Sequence, residues 1–574
     1  MIHLAACATA APPDPTLLDP SAVDPAGRVL DIERLRIVAS QPLPGDAGPT
    51  CDVLVIGGGV GGVAAAETLQ RRGMSVIVTE PTSALGGQLT SQLVATPDEN
   101  SYIEREPGPS TRSYRSLRSR VRAHYAGLPG IKPDAAKNVG QCWVSRISAT
   151  PDIWEQAIQG QLDAVRVGPN SLRVYLRHQL RNVKLLANGR FNYADLVDLD
   201  TGAVTRIGAR YLLDATEDGS AMAACGLPTV IGQEARAEYD EPHAPETAHP
   251  EWVQSFTYCF TVRWQTAGPH VTAAKPDEYD AFKALGVYSL DYVYIDRGTV
   301  PYKMLTTAKG AAGSFWAYRR LMASSSFAGG QSPDGDIAVI NWRGNDFHEE
   351  TYLGKPLEEQ LRVLSRGRAF AQGFLYWLQT ECPRDDGGGI GYPEIQAVGS
   401  PTLADVEPDG FALAPYVRES RRLRARFMLN ENHLTAPTDE PDAHWGDAFA
   451  DSVGCSLYAI DIHPAHDEPP LLVKALPCHL PLGSFLTTAG PTNVLPAAKN
   501  FGATRLALAS TRMHPTEWLA GEVAGSLAAF CIRRDIDDPA QVRDDPALLT
   551  EFQEYLTLGG VTLYWRDILG TDGK

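Results

Sequence analysis

Between Cys51 and Glu80 the chain reads CDVLVIGGGVGGVAAAETLQRRGMSVIVTE. Val53 to Ile56 is a short apolar run that breaks into glycines, the pattern of a buried strand. Small and apolar residues follow at helical spacing and stop at Gly73. A second apolar run ends on Glu80. Residues 183–218 change to a period of two, with Asp200-Thr201-Gly202 as a hairpin turn. The last of these strands, Arg210 to Ala215, runs into Asp214-Ala215-Thr216-Glu217-Asp218-Gly219. A strand that ends in small and acidic residues suits a loop crossing a bound cofactor. Asn493 to Asn500 reads as a short strand and turn, and Pro515 stands at the first position of a helix. Gly521 and Gly525 share one face of that helix, so that face can approach another element closely. A tail helix is expected over Pro546 to Leu558.

The first glycines carry chemistry. In Gly57-x-Gly59-x-x-Gly62, Gly57 allows a tight turn, Gly59 lets the backbone approach a pyrophosphate, and Gly62 lets the helix pack on the sheet. Gly61 belongs to the same loop. The helix start adds free N–H groups for phosphate. Glu80, with Pro81 beside it, stands where a ribose hydroxyl needs an acceptor. A lone GxGxxG is weak evidence, but strand, helix, second strand and acid come here in the right order. The unit is read as a dinucleotide site.

The 574 residues are too many for one core, so two or three units are expected. Net charge is 51 − 69 = −18, which argues against nucleic acid or an anionic membrane as partner. No apolar run is long enough to cross a bilayer. The nine cysteines form no CxxC pair, so neither a redox dithiol nor a metal site is signalled. Leu4-Ala5-Ala6-Cys7 matches a lipoprotein cleavage box, but only three residues precede it. A cytoplasmic protein is expected, with export or lipid anchoring the alternative if the start is truncated. Residues 8–50, rich in Pro, Ala and Asp, read as a loosely packed arm with a short helix around Asp31 to Ile37.

A basic helix is expected over Ser113 to Tyr125, and most of Arg115, Arg118, Arg120 and Arg122 should face solvent. Residues 236–470 are rich in aromatics and prolines. Gly387-Gly388-Gly389-Ile390-Gly391 has no strand before it and no helix after it, and reads as a loop. Without a second fingerprint, a dedicated NAD(P)H domain is not expected. Transient docking of that cofactor stays open.

Four features together resemble FAD-dependent oxidoreductases of the glutathione-reductase-like superfamily: the Cys51–Glu80 unit, the Leu85-Gly86-Gly87-Gln88 turn, the Asp214-Ala215-Thr216 strand end and the Pro515 helix. The closer resemblance is to the FAD-dependent oxidoreductase family, through Gly86 to Gln92, Ser113 to Arg115, Arg418 to Arg422 and Gly521 to Ala529. It runs from about residue 51 to 565. It implies an α/β fold, a Rossmann-like FAD-binding domain with an inserted α+β substrate or cap domain. The units implied are an arm at 1–50, the FAD domain at 51–235 and 475–535, the substrate region at 236–474 and a helical tail at 536–574. FAD contacts are expected from Gly57, Gly59, Gly61, Gly62, Glu80, Pro81, Gly86, Gly87, Gln88, Ala215, Thr216, Asn500, Pro515 and Glu517. Glu217 departs from the usual Ala-Thr-Gly strand end. The resemblance also implies that the positive end of the Pro515 helix points at the flavin ring, with Arg512 and His514 beside it.

Oxidising an alcohol or amine requires a proton acceptor, most often His. Two contexts stand out among thirteen histidines. Asp461 and His463 share one face of an extended segment and can orient together. His514 stands at the helix start. Arg418-Glu419-Ser420-Arg421-Arg422 suits either an anion or an internal ion-pair network. Asn341 to Asp346 and Phe374 to Trp377 suit a pocket or a core. The favoured reading is a dehydrogenase or oxidase acting on a polar alcohol, sugar-like or amine substrate, with the electron acceptor left open. The alternatives are an FAD monooxygenase or double-bond reductase, and a non-catalytic FAD-binding protein.

Overall fold

The computed structural model describes residues 23–570, apart from 46–47, 169–170, 295–297, 331, 333–334, 400–408 and 437–442. The Leu4–Cys7 box lies outside the described residues. The described chain starts as an antiparallel hairpin, Arg28–Asp31 (β1) and Arg36–Ala39 (β2). This replaces the helix expected around Asp31 to Ile37. Packing decides it: Val29 and Val38 join Val197 and Leu199 in a small cluster that a helix would not fill.

Thr50–Ile56 (β3), Val60–Arg71 (α1) and Val76–Glu80 (β4) form the βαβ unit, with Val53 opposite Val76 in a parallel pair. Helices Arg112–Ala126 (α2) and Pro151–Val165 (α3) follow. Then come Leu172–Leu176 (β5), His178–Leu185 (β6), Phe191–Asp198 (β7) and Val204–Asp214 (β8). The sheet runs β5-β4-β3-β8-β7-β6. The parallel β3–β8 pair sets Ile56 beside Asp214, so the glycine loop and the Asp214 strand end leave the sheet at one edge. Ligands bind at such carboxyl edges of parallel sheets.

A second, antiparallel sheet joins Phe260–Trp264 (β9), Arg320–Met322 (β10), Ile337–Ile340 (β11) and Ile395–Ala397 (β12). The helix Leu357–Thr380 (α4) shares its aromatic core of Phe260, Trp342, Phe347, Phe370 and Phe374. Phe374 and Trp377 are therefore core. The chain continues through Ile460–Ile462 (β13) and returns to the first sheet at Val494–Pro496 (β14), parallel to β8. His514–Arg534 (α5) then lies on α1, and Pro546–Gly559 (α6) closes the chain. A Cβ on Gly521 would meet the Gly61 carbonyl at 2.0 Å, so the α1–α5 approach requires glycine there. Among the described residues no helix is long and apolar enough to cross a membrane.

Arg118 departs from the solvated face expected of α2. It is buried and ion-paired with Glu99 at 2.9 Å and Glu104 at 2.5 Å. A basic run reads as a surface only until the carboxylates that fold onto it are known.

Candidate active site

The β3 edge opens into a cavity lined by Gly57, Gly59, Glu80, Pro81, Gly87, Ala215 and Thr216. Gly57 has φ 99°, and a Cβ there would fall 2.1 Å from the Ala215 carbonyl. Side chains are excluded at that turn, which leaves the backbone at the start of α1 open to a ligand. Glu80 is buried. Its Oε2 accepts the Gly58 N–H at 2.7 Å, and its Oε1 accepts the Thr82 N–H and hydroxyl at 3.0 and 2.7 Å. Burial pushes its carboxyl up to about 7.

Glu217, in place of the usual glycine, reaches over the loop. Its Oε1 lies 2.7 Å from where a Gly59 Cβ would be. Lys499 is buried between it and Glu517, with Nζ 3.1 Å from Glu517. Burial works against the ammonium, but the two carboxylates raise its pKa above that of an ordinary lysine. Gln88 donates to Glu517. Four buried oxygens here, Gln88 Oε1, Gln92 Oε1, Glu217 Oε1 and Glu517 Oε1, have no hydrogen-bond partner. Unpaired buried acceptors call for donors, and a hydroxyl-bearing chain supplies them. The glycine cradle suits a pyrophosphate and these oxygens suit ribityl hydroxyls, so the residues present fit FAD. Asn500 sits behind this wall. Its Nδ2 donates to the Asp214 carbonyl at 2.9 Å and its Oδ1 accepts the Ala498 N–H at 3.1 Å.

A second cavity adjoins Met513, the residue before α5. Asp98, Arg319, Arg343, Tyr416, Arg418, Asp461, His463 and Arg512 line it. His463 is held between two carboxylates: Nδ1 is 2.7 Å from Asp346 Oδ2, and Nε2 is 3.5 Å from Asp461 Oδ2. Arg418 pairs with the other Asp346 oxygen at 3.0 Å, and Arg319 with Asp98 at 2.9 Å. Arg512 donates to the Tyr416 hydroxyl at 2.8 Å and the Asp461 carbonyl at 3.2 Å. Burial favours the neutral form of Asp461, but His463, Arg512 and Arg418 bring its carboxyl down to about 2. Asp346 is likewise buried, yet Arg418 and His463 hold it well below the usual carboxylate range. Arg343 has no carboxylate within ion-pair distance among the described residues. Its guanidinium lies 5.4 Å from the Tyr292 ring centre.

His514 is placed differently from His463. It is fully buried, its Nδ1 accepts the Asp98 N–H at 3.2 Å, and burial pushes its pKa down to about 3. It does not line the second cavity. Pro515 and Glu517 lie in the first turn of α5, and Glu517 faces the glycine loop. Within Arg418 to Arg422 the structure shows internal ion pairs, and the Arg418–Asp346 pair lies at the cavity wall. Arg418 lines the cavity, while Glu419 pairs with Arg505 at 2.9 Å and Arg422 with Glu234 at 2.9 Å. Sequence reasoning missed Asp98, Arg319, Asp346 as the partner of His463, and Lys499. Asp346 and Arg418 lay in segments it singled out. Asp98, Arg319 and Lys499 carry no local signal, because each is defined by a partner far along the chain.

The glycine cradle, the parallel sheet edge and the unpaired acceptors at the start of α5 define a flavoprotein of the Rossmann-like FAD-binding class. The chain belongs to the FAD dependent oxidoreductase family, which it matches over residues 52–556. It is therefore an FAD-dependent oxidoreductase. No curated protein matches it. Among solved structures it is similar to a geranylgeranyl bacteriochlorophyll reductase-like protein from Thermoplasma acidophilum, at 10% identity and a TM-score of 0.31, over 90% of this chain and 86% of that one. It is also similar to the flavin-dependent monooxygenase PieE, at 14% identity and a TM-score of 0.22, over 38% and 36%. The anhydrotetracycline hydroxylase OxyS from Streptomyces rimosus aligns at 14% identity and a TM-score of 0.22, over 38% and 39%. The chain thus spans little more than a third of the length of the last two.

Proposed function

We propose that this oxidoreductase removes hydride from a polar small molecule, an alcohol, a sugar-like ring or an amine, with oxygen or another acceptor taking the electrons afterwards. The observation that carries the reading is His463, fixed through Nδ1 by Asp346 at 2.7 Å in a charged cavity beside the start of α5. When bound, FAD supplies two-electron redox chemistry. The chain supplies the rest. For an alcohol, carbon loses a hydride and oxygen loses a proton, leaving a carbonyl. His463 Nε2 takes that proton, and Asp346, anchored by Arg418, keeps the ring in one orientation. Asp461 and Arg512 flank the ring and exclude apolar groups. Arg343 and the Tyr416 hydroxyl supply donors for a polar substrate. His514, with so low a pKa, is a poor proton acceptor near pH 7, and we assign it to bracing the Asp98 backbone.

Anaerobic rapid mixing tests this. A panel of alcohols, sugars and amines should contain a compound that bleaches the flavin, while NADPH should not. His463→Ala should slow the bleaching by about 10²- to 10⁴-fold and leave the flavin spectrum unchanged. Rapid bleaching by NADPH and by no panel member would sink the proposal in favour of a monooxygenase or a double-bond reductase.

A further inference from the structure

The β1–β2 hairpin stands outside the βαβ unit, yet it closes one end of the cofactor cavity. Leu30 and Ile32 line that cavity beside Glu80, Pro81 and Thr82. Leu30 is only 8% exposed. The hairpin is held there by charge. Arg177 donates to both carboxylate oxygens of Asp31 at 2.8 and 2.6 Å and to the Pro81 carbonyl at 3.2 Å. Asp31 is fully buried and also accepts from Arg36 at 3.0 Å. Glu33 accepts the Ser83 N–H at 2.7 Å. On its outer side the hairpin is tied by Arg28 to Glu358 of α4 at 2.6 Å and by Arg34 to Asp200 at 2.5 Å.

Two of these attachments, through Pro81 and through Ser83, land on the turn directly after Glu80. An ion pair as buried as Asp31–Arg177 carries a desolvation cost and fixes its two elements in one register. A loosely packed arm would not need it. Glu80 marks the ribose end of a dinucleotide in this fold, so the wall beyond it meets the base. Leu30 and Ile32 make that wall apolar, which suits the face of a flat heterocycle and neither a ribose nor a phosphate.

We propose that the N-terminal hairpin is the adenosine cap of the FAD site. Leu30 and Ile32 are its contact surface, and Asp31–Arg177 with Glu33–Ser83 is the clasp that holds it shut. The glycine loop grips the pyrophosphate, and the hairpin covers the side of the adenosine half that the first sheet leaves open.

The test is the dissociation constant of FAD, read from flavin fluorescence on reconstituting the full-length apoprotein. Ile32 is only partly buried, so its variants should fold, which far-UV circular dichroism checks. Ile32→Glu should raise the constant about 10-fold or more, and Leu30→Ala by roughly 5-fold. Arg34→Ala, on the outer side of the same hairpin, should leave it within about twofold of the parent. An unchanged constant in both Ile32→Glu and Leu30→Ala would overturn the proposal. So would equal weakening by Arg34→Ala and Ile32→Glu, since that would show general loosening of the hairpin rather than contact with the base.

Discussion

The two cavities are built on opposite principles. The cofactor cavity is made where side chains are missing: Gly57 and Gly59, with Ala215 facing them, present backbone. The second cavity is made of long charged side chains, Arg319, Arg418 and Arg512 set against Asp98, Asp346 and Asp461. The first binds mainly through backbone geometry, with Glu80 as a titratable group on its wall. The second depends on Arg319, Arg418 and Arg512 finding their carboxylates, because an unpaired buried charge is costly. A cofactor that never changes suits the first design. A substrate that must enter, react and leave suits the second. The helix α5 joins them, with Met513 at one cavity and Glu517 at the other.

That contrast is open to direct attack. The largest effect should come from Gly61→Val. A Cβ there would fall 2.0 Å from the Ala497 carbonyl, where neither backbone has room to give. The purified variant should retain no flavin, and its FAD dissociation constant should rise by about 100-fold or more, roughly 3 kcal/mol. A yellow variant of normal affinity would show that the backbone cradle is not the grip.

Arg343→Ala should act only on the second cavity. With a substrate from the panel, KM should rise about 10-fold while kcat stays within about twofold, the mark of a group that binds substrate and transition state equally. A fall in kcat at constant KM would move Arg343 from binding to chemistry.

The smallest effect concerns the connecting helix. Glu522 of α5 is buried, accepts from Thr111 at 2.9 Å and from Trp518 at 3.0 Å, and burial pushes its carboxyl up to about 7. From its unfolded value near 4.3 up to about 7, the folded chain keeps a proton that the unfolded chain has lost. Stability from this group therefore falls as pH rises through that window. Glu522→Gln should flatten the dependence of thermal stability on pH in that window. An identical pH slope in the variant would show that Glu522 is ionised throughout.

The cofactor half of the site was legible because its signals are local. Gly57 to Gly62, Glu80 and Gly86-Gly87 lie within some thirty residues and follow one strand. The β7–β8 turn at Asp200 and the tail helix were legible for the same reason. The Asp461–His463 pair was also legible, since two residues apart in a strand means one shared face. Its stronger partner, Asp346, was not, because the pair spans 117 positions of sequence. The hairpin was misread for a related reason. Its composition is that of a loose arm, and its order comes from Arg177 and Ser83, which nothing in residues 23–45 announces.

The sequence by itself determined the strand, glycine turn and helix of a dinucleotide-binding unit. Glycine is a negative signal that survives without a fold, since a missing Cβ is visible in the letters alone. Tertiary structure alone decided which charges are spent on one another and which face the cavity. Four arginines that look alike in sequence become three ion-paired residues and one, Arg343, without a carboxylate among the described residues. It also decided that an unremarkable N-terminal stretch lies against the cofactor cavity. The reason is physical: Coulomb energy and burial depend on distance in space, and only the closed fold sets those distances.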